Sequence, residues 1–280
     1  MNTLGWSGYS SAASLLVAGV PVRPMKPIVF GTSATQIELG FSEVADDGGS
    51  PVLSYTLYVR DEDTATFSPV STYDGVSMSH TLDSVADSLS VGKIHYFKLQ
   101  ATNDVGTSEF SDEASVALAP LPAQLTPAPW VDLGKSSLTS IMIRWNAGVT
   151  IPSIPGEIGI TGYKLYMDGG NDGSYRLAYD GTNRPGVLEF EVTANEFGFL
   201  LGRAYRFRVA ALNYNGEGSQ SDEATLYMCL PPQDFPAPDY VSSTETSLTV
   251  KWNPPRLNNG CPIVKYELYR DTGVNDPIAE

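Results

Sequence analysis

Histidine is scarce in this sequence, and its scarcity limits the acid–base chemistry that the chain could perform. The 280 residues include two histidines, His80 and His95. Nucleophilic hydrolysis needs a histidine beside a serine or cysteine and oriented by a carboxylate, and neither histidine lies in a sequence context of that kind. With two cysteines besides, the ligands are too few for the Cys- and His-rich sites that hold zinc. We therefore expect structural histidines and predict a non-enzymatic chain without a cofactor or a metal.

An acidic, glycine-rich string that begins at Asp168 is similar to the start of a calcium-binding loop. Its sequence is DGGNDGSYRLAY. An EF-hand loop carries ligands at its third and twelfth positions, and the twelfth must be a bidentate carboxylate. Gly170 and Tyr179 occupy these two positions here, so the ligand set fails. We interpret the string as a hairpin turn between two strands, with weak calcium binding as the alternative.

The balance of charge excludes one large class of partners. The chain has 32 acidic and 17 basic residues, which give a formal net charge of −15. Proteins bind nucleic acids largely by neutralising phosphates with Lys and Arg, so DNA and RNA should be repelled. No uninterrupted apolar stretch approaches the roughly 20 residues that span a bilayer. We therefore expect no nucleic-acid partner and no membrane segment in this chain.

Strands are the elements that this composition favours. The chain has 15 Tyr, 26 Gly and 20 Pro, and 18% of its residues are charged. Tyrosine is enriched in strands, and glycine and proline are enriched in turns. Alternating apolar and polar residues recur throughout the sequence, whereas no segment combines helical periodicity with good helix formers. Composition and pattern together predict an all-β fold.

One segment recurs along the chain. ATNDVGTSEFSDEASVALAPLP surrounds Asn103 and ALNYNGEGSQSDEATLYMCLPP surrounds Asn213, with Asn, Gly, Ser and Pro at matching offsets. The opening of the chain fits the same pattern from Asn2 onward. Its run GWSGYSSAASLLVAGVP is similar to a secretory signal peptide, but the first basic residue is Arg23, which lies downstream of the run. We interpret residues 1–21 as the last strand of a repeat instead.

Three further patterns mark strands in successive copies. They are QIELGF, SIMIRW and SLTVKW, then VLSYTLYVR, ITGYKLYMD and IVKYELYRD, and finally HYFKLQATN and YRFRVAALN. A period of two places alternate residues of each pattern, such as Ile37, Leu39 and Phe41, on one face of a strand, which should face a core. The expected core positions are Phe41, Trp145 and Trp252 in the first pattern, Tyr55, Tyr163 and Tyr266 in the second, and Phe97 and Phe207 in the third.

The order and spacing of these motifs resemble those of tandem fibronectin type III domains. Domains of that family are immunoglobulin-like β-sandwiches of seven strands, with three strands in one sheet and four in the other. The resemblance covers essentially the whole chain and implies an all-β array of such sandwiches. It divides the chain into the last strand of a preceding domain at 1–21, complete domains at 22–120 and 121–231, and the first half of a following domain at 232–280.

Two positions of the first complete domain depart from the family pattern. Phe41 stands where the family has tryptophan, so an aromatic core residue is retained. His95 stands at the position of Tyr205, which the resemblance identifies as the tyrosine-corner residue. A ring N–H of His95 could still reach a backbone carbonyl, so we expect a weakened corner and no catalytic role.

Proline-rich junctions separate the copies. Their sequences are VPVRPMKP, APLPAQLTPAP and LPPQDFPAP. Because proline fixes φ and favours extended backbone, we predict short, semi-rigid spacers and a rod-like array. The fragments at 1–21 and 232–280 could alternatively complete each other between neighbouring chains. Such a pairing would lack two strands of a sandwich, so we favour an excerpt of a longer array.

Within this resemblance, the two cysteines lie at one junction. Cys229 ends the last strand of the second complete domain, and Cys261 lies in the loop between the second and third strands of the next domain. Ala119 and Ser50 occupy these positions in the earlier copy. That loop lies at the pole where the chain enters a sandwich. We therefore hypothesise a Cys229–Cys261 disulfide, which would imply an oxidising compartment, with two unrelated thiols as the alternative.

The repeats, the stiff junctions and the lack of catalytic motifs predict a structural or adhesive spacer in a large extracellular, cell-surface or filament-forming repeat protein. Its partners would be other proteins or neighbouring copies of the array, and a carbohydrate contact stays open. Because a fold does not fix a function, two other interpretations also stay open. The domains could space the modules of a secreted polysaccharide-degrading enzyme, or they could belong to an intracellular scaffold of cytoskeletal or ciliary type.

Overall fold

The computed structural model describes residues 2–14, 17–148, 158–170 and 173–271. The chain separates into two compact units, one built mainly from the residues up to Pro120 and the other mainly from those that follow. Strands dominate both units, and the described helices are one α-helical turn and one short 3-10 helix. The all-β fold predicted from the sequence is confirmed. Among the described residues, no helix has the length and apolar character needed to cross a membrane.

The first unit contains one sandwich of two antiparallel sheets. Its strands are β1 (Ile28–Thr32), β2 (Gln36–Gly40), β3 (Ser54–Asp61), β4 (Ser68–Pro69), β5 (Ser79–Asp83), β6 (Ile94–Thr102) and β7 (Ala114–Ala117). One sheet has the order β1-β2-β5 and the other β4-β3-β6-β7. Three strands therefore face four, which is the division that the resemblance implied.

Strict alternation along the strands builds the core of the first sandwich. On β6, the inward positions His95, Phe97, Leu99 and Ala101 are buried, and the residues between them are partly exposed. The register places Leu99 opposite Leu57 of β3, so the two central strands present one continuous apolar surface. The other sheet covers that surface from above. The hydrophobic effect of this burial holds the two sheets together.

The second unit repeats this architecture with longer loops. Its elements are β8 (Trp130–Asp132), a 3-10 helix (Leu133–Lys135), β9 (Ser140–Arg144), β10 (Gly162–Met167), β11 (Arg176–Asp180), β12 (Glu189–Thr193), α1 (Ala194–Phe197), β13 (Ala204–Asn213), β14 (Gly216–Glu217) and β15 (Ala224–Tyr227). One sheet has the order β8-β9-β12. In the other, β11, β10 and β13 are neighbours, and both β14 and β15 pair with β13.

The single turn of α1 connects β12 to the loop before β13. The Thr193 hydroxyl caps the helix by accepting a hydrogen bond from the backbone N–H of Glu196. The helix ends at Gly198, which has the left-handed backbone conformation typical of a helix C-terminus, with φ of 70°. This turn leads the chain from one sheet to the other.

The last described segment forms a two-stranded sheet, β16 (Asp239–Ser243) and β17 (Leu248–Lys251). Here the structure differs from the expectation that Trp252 and Tyr266 lie in a core, because they are 40% and 43% exposed. In each complete sandwich, the strand that carries the equivalent tyrosine pairs with β6 or β13, and no such strand follows Lys251 within the described range. The two rings still contact each other, with centroids 6.2 Å apart.

The opening segment also differs from expectation. We predicted a strand at 1–21, but the described residues of this range form no strand, and Leu4, Trp6 and Tyr9 are exposed. In the complete sandwiches, the last strand pairs with the preceding long strand, as β7 does with β6. No partner of that kind pairs with the described part of 1–21. Met1, Leu15 and Leu16 lie outside the described residues.

The outer face of the β1-β2-β5 sheet has one close aromatic contact. The ring of Phe30 on β1 lies directly over Gly40 on β2, where a Cβ atom would come within 2.2 Å of the ring. Only glycine leaves room for the ring in this position. Phe30 therefore packs against backbone on a face that is otherwise open to solvent.

Candidate functional site

The core signature residues of the two complete sandwiches lie at equivalent places. Phe41 and Trp145 each follow the second strand of their sandwich and are buried. Phe41 makes an edge contact with Tyr73, with ring centroids 5.3 Å apart. Trp145 contacts Tyr163 and Tyr179, both at 6.1 Å between centroids. The first sandwich thus fills the tryptophan position with a smaller ring.

Two buried tyrosines fix a loop as well as the core. The hydroxyl of Tyr55 accepts a hydrogen bond from the backbone N–H of Val44, at 3.1 Å. In the second sandwich, the hydroxyl of Tyr163 accepts one from the N–H of Gly148, at 2.9 Å. Both donors lie in the loop that joins the second and third strands. The sequence predicts that these tyrosines lie in the core, but it does not predict the loop contact. The available signal was that a tyrosine recurs at this position of the repeat.

The corner positions pair with backbone in both sandwiches. The hydroxyl of Tyr205 accepts a hydrogen bond from the N–H of Leu200, at 2.8 Å. His95, at the equivalent position, places Nε2 2.9 Å from the carbonyl oxygen of Ser90. The Nδ1 atom of His95 is buried, and it has no hydrogen-bond partner within the described part of the chain. The histidine therefore replaces one backbone contact with another and leaves one ring nitrogen unsatisfied.

The second histidine is part of a small polar cluster. His80 Nε2 lies 3.0 Å from the Thr72 hydroxyl, which also donates to the carboxylate of Asp87. The Thr72 proton is used on Asp87, so His80 must donate at Nε2 rather than accept. A general base needs the opposite arrangement, in which the histidine accepts the hydroxyl proton. The cluster holds neighbouring turns together and does not form a nucleophilic site.

The structure places Asp168, the first residue of the calcium-like string, in an ion pair. Its side chain is 2% exposed, and its Oδ2 lies 2.7 Å from Nε of Arg206. Its Oδ1 accepts hydrogen bonds from the backbone N–H groups of Arg206 and Gly170. Burial alone would raise the pKa of Asp168, but the N–H groups and the guanidinium outweigh it and hold the pKa below its ordinary value.

Asp168 therefore joins the end of β10 to β13, and both of its oxygens are engaged. Asn171 and Asp172 of the same string lie outside the described residues. Within the described ranges, no group of three or more His, Cys, Asp or Glu side chains is arranged to hold a metal ion. The part of the string that the structure describes serves the sandwich itself.

The four-stranded sheet of the first sandwich carries an ordered set of cations, rings and carboxylates on its outer face. The guanidinium of Arg60 lies 3.9 Å from the ring centroid of Tyr96, and the ammonium of Lys98 lies 4.6 Å from that of Phe67. Both cations also pair with the carboxylate of Glu113, at 3.2 and 3.4 Å. The cation–π contacts and the ion pairs hold these side chains in a fixed arrangement.

The second sandwich repeats part of this arrangement, the contacts of Lys98 with Phe67 and Glu113, in equivalent positions. Arg208 replaces Lys98, Tyr175 replaces Phe67 and Glu223 replaces Glu113. The Arg208 guanidinium lies 4.6 Å from the Tyr175 ring centroid and 3.3 Å from a Glu223 carboxylate oxygen. Burial and the hydrogen bond to Glu223 raise the pKa of Tyr175, and the same hydrogen bond lowers the pKa of Glu223. Both sandwiches thus present a mixed aromatic and charged face.

A shallow cavity of about 600 Å³ lies on the first sandwich, between the loops at 43–54 and 75–78. Its lining includes the apolar side chains of Leu53 and Val76, both more than half exposed. Glu43, with Asp46 and Asp47, adds negative charge to the same lining. The cavity combines apolar surface with acidic groups.

An asparagine joins the segment that enters the first sandwich to two of its loops. The side-chain amide of Asn103 donates to the carbonyl oxygens of Gly19, Asp47 and Ser50, at 2.8, 2.7 and 3.3 Å. The N–H of Gly19 in turn donates to the carbonyl of Gly48, at 2.8 Å. Asn103 is 3% exposed. The incoming chain is therefore hydrogen-bonded to the loop between β2 and β3.

The segment that follows the second sandwich is bound in a similar way. The N–H of Gln233 donates to the carbonyl of Leu257 at 2.9 Å, and the N–H of Leu230 donates to the carbonyl of Asn259 at 3.1 Å. At the same place, the structure joins Cys229 and Cys261 in a disulfide, with Cα atoms 5.7 Å apart. Residues 230–233 and the loop at 257–261 thus form one connected junction.

Comparison with known proteins identifies relatives of the whole chain. No protein-family model matches it. The chain is similar to protein sidekick-2 of Mus musculus, with 30% identity over 94% of this chain and 13% of that protein. It is also similar to fibronectin type-III domain-containing protein 3A of Mus musculus, with 28% identity over 98% of this chain and 22% of that protein. The chain therefore spans less than a quarter of the length of either relative.

Among solved structures, the chain is similar to that of the FN1-FN3 domains of chicken CNTN1. It aligns with a TM-score of 0.45 and 16% identity, covering 75% of this chain and 68% of that chain.

Proposed function

Because the chain is a tandem array of fibronectin type III domains, we propose that it acts as a non-enzymatic structural and adhesive spacer in a large extracellular, cell-surface or filament-forming repeat protein. In this proposal, 22–120 and 121–231 are complete domains, and 1–21 and 232–280 are parts of neighbouring ones. Its partners are other proteins or neighbouring copies of the array.

The observation that most supports a spacer is that the segment preceding each sandwich contacts that sandwich. Asn103 hydrogen-bonds the chain at Gly19, and Gly218 lies so close to the carbonyl of Pro122 that a Cβ would come within 2.1 Å of its oxygen. A segment that is hydrogen-bonded to a sandwich or packed against it has less conformational freedom. A segment built to transmit position or tension needs this restriction, whereas a flexible tether does not.

The outer sheet faces support the adhesive part of the proposal. Tyrosine, phenylalanine and arginine are the side chains enriched in protein–protein interfaces. Both sandwiches hold such side chains in ordered contacts, as the pairs Arg60 with Tyr96 and Arg208 with Tyr175 illustrate. A surface whose side chains are already ordered loses less entropy when it binds a partner.

Pulling on the full chain between its termini in a single-molecule force experiment tests the spacer role. A domain of about 100 residues, extended at about 3.6 Å per residue, releases on the order of 30 nm of chain when it unfolds. We expect two separate unfolding events of this size. Extension without a resolved force peak would contradict a load-bearing role.

The state of the two cysteines in the source cells tests the location. We propose an extracellular or cell-surface location, where Cys229 and Cys261 would be isolated as a disulfide. Thiol-blocking during lysis, followed by mass spectrometry of non-reduced peptides, measures this directly. Recovery of both residues as blocked thiols would instead support a ciliary or cytoskeletal scaffold.

A further inference from the structure

In the junction after the second sandwich, few backbone bonds are free to rotate. On one side, the N–H of Met228 donates to the carbonyl of Arg203 at 3.0 Å, so the chain is part of the second sandwich up to that residue. On the other side, Leu230 is already hydrogen-bonded to Asn259 of the last segment. Cys229 lies between these two sets of hydrogen bonds, and its own N–H donates back to the carbonyl of Tyr227 at 3.0 Å, so its bonds toward Leu230 are the ones left to rotate. Cys229 is therefore the hinge of this junction.

Beyond the hinge, residues 231–234 form hydrogen bonds with residues 256–259 of the last segment. Gln233 and Leu257 exchange two backbone hydrogen bonds, at 2.9 and 3.3 Å. The N–H of Arg256 donates to the carbonyl of Asp234 at 3.1 Å. The side chain of Asn259 donates to the carbonyl of Pro231, at 2.6 Å. Because none of these contacts crosses the hinge, they leave the angle at Cys229 free.

The described residues make two kinds of contact across the hinge. One is the disulfide between Cys229 and Cys261. The other is a close approach of two glycines, because a Cβ at Gly202 would lie 2.4 Å from the carbonyl oxygen of Gly260. A Cβ at Gly260 would in turn lie 2.5 Å from the side chain of Leu201. The loop at 257–261 is thus docked against the turn at 200–203 of the second sandwich.

We infer that this junction is a redox-dependent latch, in which the Cys229–Cys261 disulfide keeps the loop at 257–261 docked on the turn at 200–203. The disulfide is attached to the hinge residue itself, so closing it fixes the hinge angle. Reduction by a dithiol transfers two electrons and two protons to the cystine, giving two cysteine thiols and the cyclic disulfide of the reductant. Among the described residues, the close approach of Gly260 to Leu201 and Gly202 is then the restraint that remains across the hinge. The latch depends on the fold alone and not on the proposed spacer role.

Nuclear magnetic resonance relaxation on the full chain tests the release. We expect the backbone amides of β13 and β17 to report one common rotational correlation time when the chain is oxidised. After reduction with dithiothreitol, the value for β17 should fall below that for β13. The double variant Cys229→Ser/Cys261→Ser should behave like the reduced chain without reductant. A common correlation time that persists after reduction would overturn the latch.

A second test compares two glycines, Gly198 and Gly202, that both lie between β12 and β13. Gly202 and Gly198 have φ of 79° and 70°, so alanine strains the backbone at both positions. Only at Gly202 would the added Cβ meet the docked loop, because nothing lies within 4 Å at Gly198. If the disulfide favours docking of the loop, docking must favour the disulfide by the same factor. Because Gly202→Ala obstructs docking, it should lower the equilibrium constant for forming the disulfide by about tenfold.

That constant is measured by titration in mixtures of oxidised and reduced dithiothreitol. Gly198→Ala should leave it close to the wild-type value. If the two variants change the constant equally, the glycine contact plays no part in holding the loop, and the inference is wrong.

Discussion

Removal of the Trp145 side chain tests the core of the second sandwich most directly. The residue is 2% exposed and contacts two tyrosine rings. Burial of about 200 Å² of aromatic surface at about 25 cal/mol per Å² stabilises the fold by about 5 kcal/mol. The indole Nε1, however, is buried without a hydrogen-bond partner among the described residues. Its removal recovers about 1 to 3 kcal/mol of that penalty.

We therefore expect Trp145→Ala to lower the free energy of unfolding of this sandwich by about 3 kcal/mol, at the low end of large-to-small core substitutions. Trp145→Phe, which copies Phe41 of the first sandwich, should cost only about 1 kcal/mol, because the ring is retained and the unsatisfied N–H is removed. The difference between the two variants separates the effect of volume from that of the indole N–H.

Hydrogen exchange of the full chain, read by mass spectrometry, measures each sandwich separately. Three kcal/mol corresponds to about 100-fold faster exchange at the most protected amides of β10 and β13. Peptides from β3 and β6 of the first sandwich serve as an internal reference. Trp252→Ala, at a 40% exposed position, is the matched control and should leave the second sandwich unchanged. A loss below about 1 kcal/mol for Trp145→Ala would refute the assignment of this residue to the core.

Three smaller predictions follow from buried polar contacts. Asn103→Ala should destabilise the first sandwich by about 1 to 3 kcal/mol in urea unfolding, because three carbonyls lose their donor; no change would mean that water replaces the amide. Tyr205→Phe should cost about 1 kcal/mol in the second sandwich, and an equal effect on the first would contradict a local hydrogen bond. Because Arg206 keeps the folded-state pKa of Asp168 below 3.8, the carboxylate stabilises the fold above about pH 4 and loses this effect as the pH falls through the folded-state pKa. Asp168→Asn should therefore flatten the acid limb of the stability profile, and an unchanged limb would show that other carboxylates dominate it.

The strands of the complete sandwiches could be predicted because their signal is local. Alternation in QIELGF is enough to place Ile37 and Leu39 inward, since side chains along a strand alternate between two faces. Repetition then confirmed the assignment, because the same pattern reappears before Trp145. Sandwich architecture followed from the family resemblance, which supplied the pairing of strands that local patterns do not contain.

The end segments show where the local signal was insufficient. SLTVKW predicts a strand, and β17 is one, but Trp252 lies in no core because burial requires a second sheet. IVKYELYRD has the alternation of a central strand, yet its described residues form no strand. A strand is stabilised by the partners on either side of it, and those partners lie elsewhere in a sequence.

The polar contacts could not be predicted because each joins residues far apart in the chain. Asn103 was recognised as part of a repeat, but nothing in its neighbourhood indicates that its amide reaches Gly19. The sequence around Asp168 is similar to a calcium loop, whereas the residue that engages Asp168, Arg206, lies 38 positions away. Such contacts depend on the packing of complete sheets, which only the three-dimensional structure supplies.

The contact of Phe30 with Gly40 has a consequence for sequence variation. The ring occupies the space that any side chain at position 40 would need, so these two positions cannot vary independently. A relative that carries a Cβ at the equivalent of Gly40 must carry a smaller side chain at the equivalent of Phe30, or turn that side chain away. The two positions should therefore covary in an alignment of first-sandwich homologues, although neither belongs to the core and the face that they share is open to solvent.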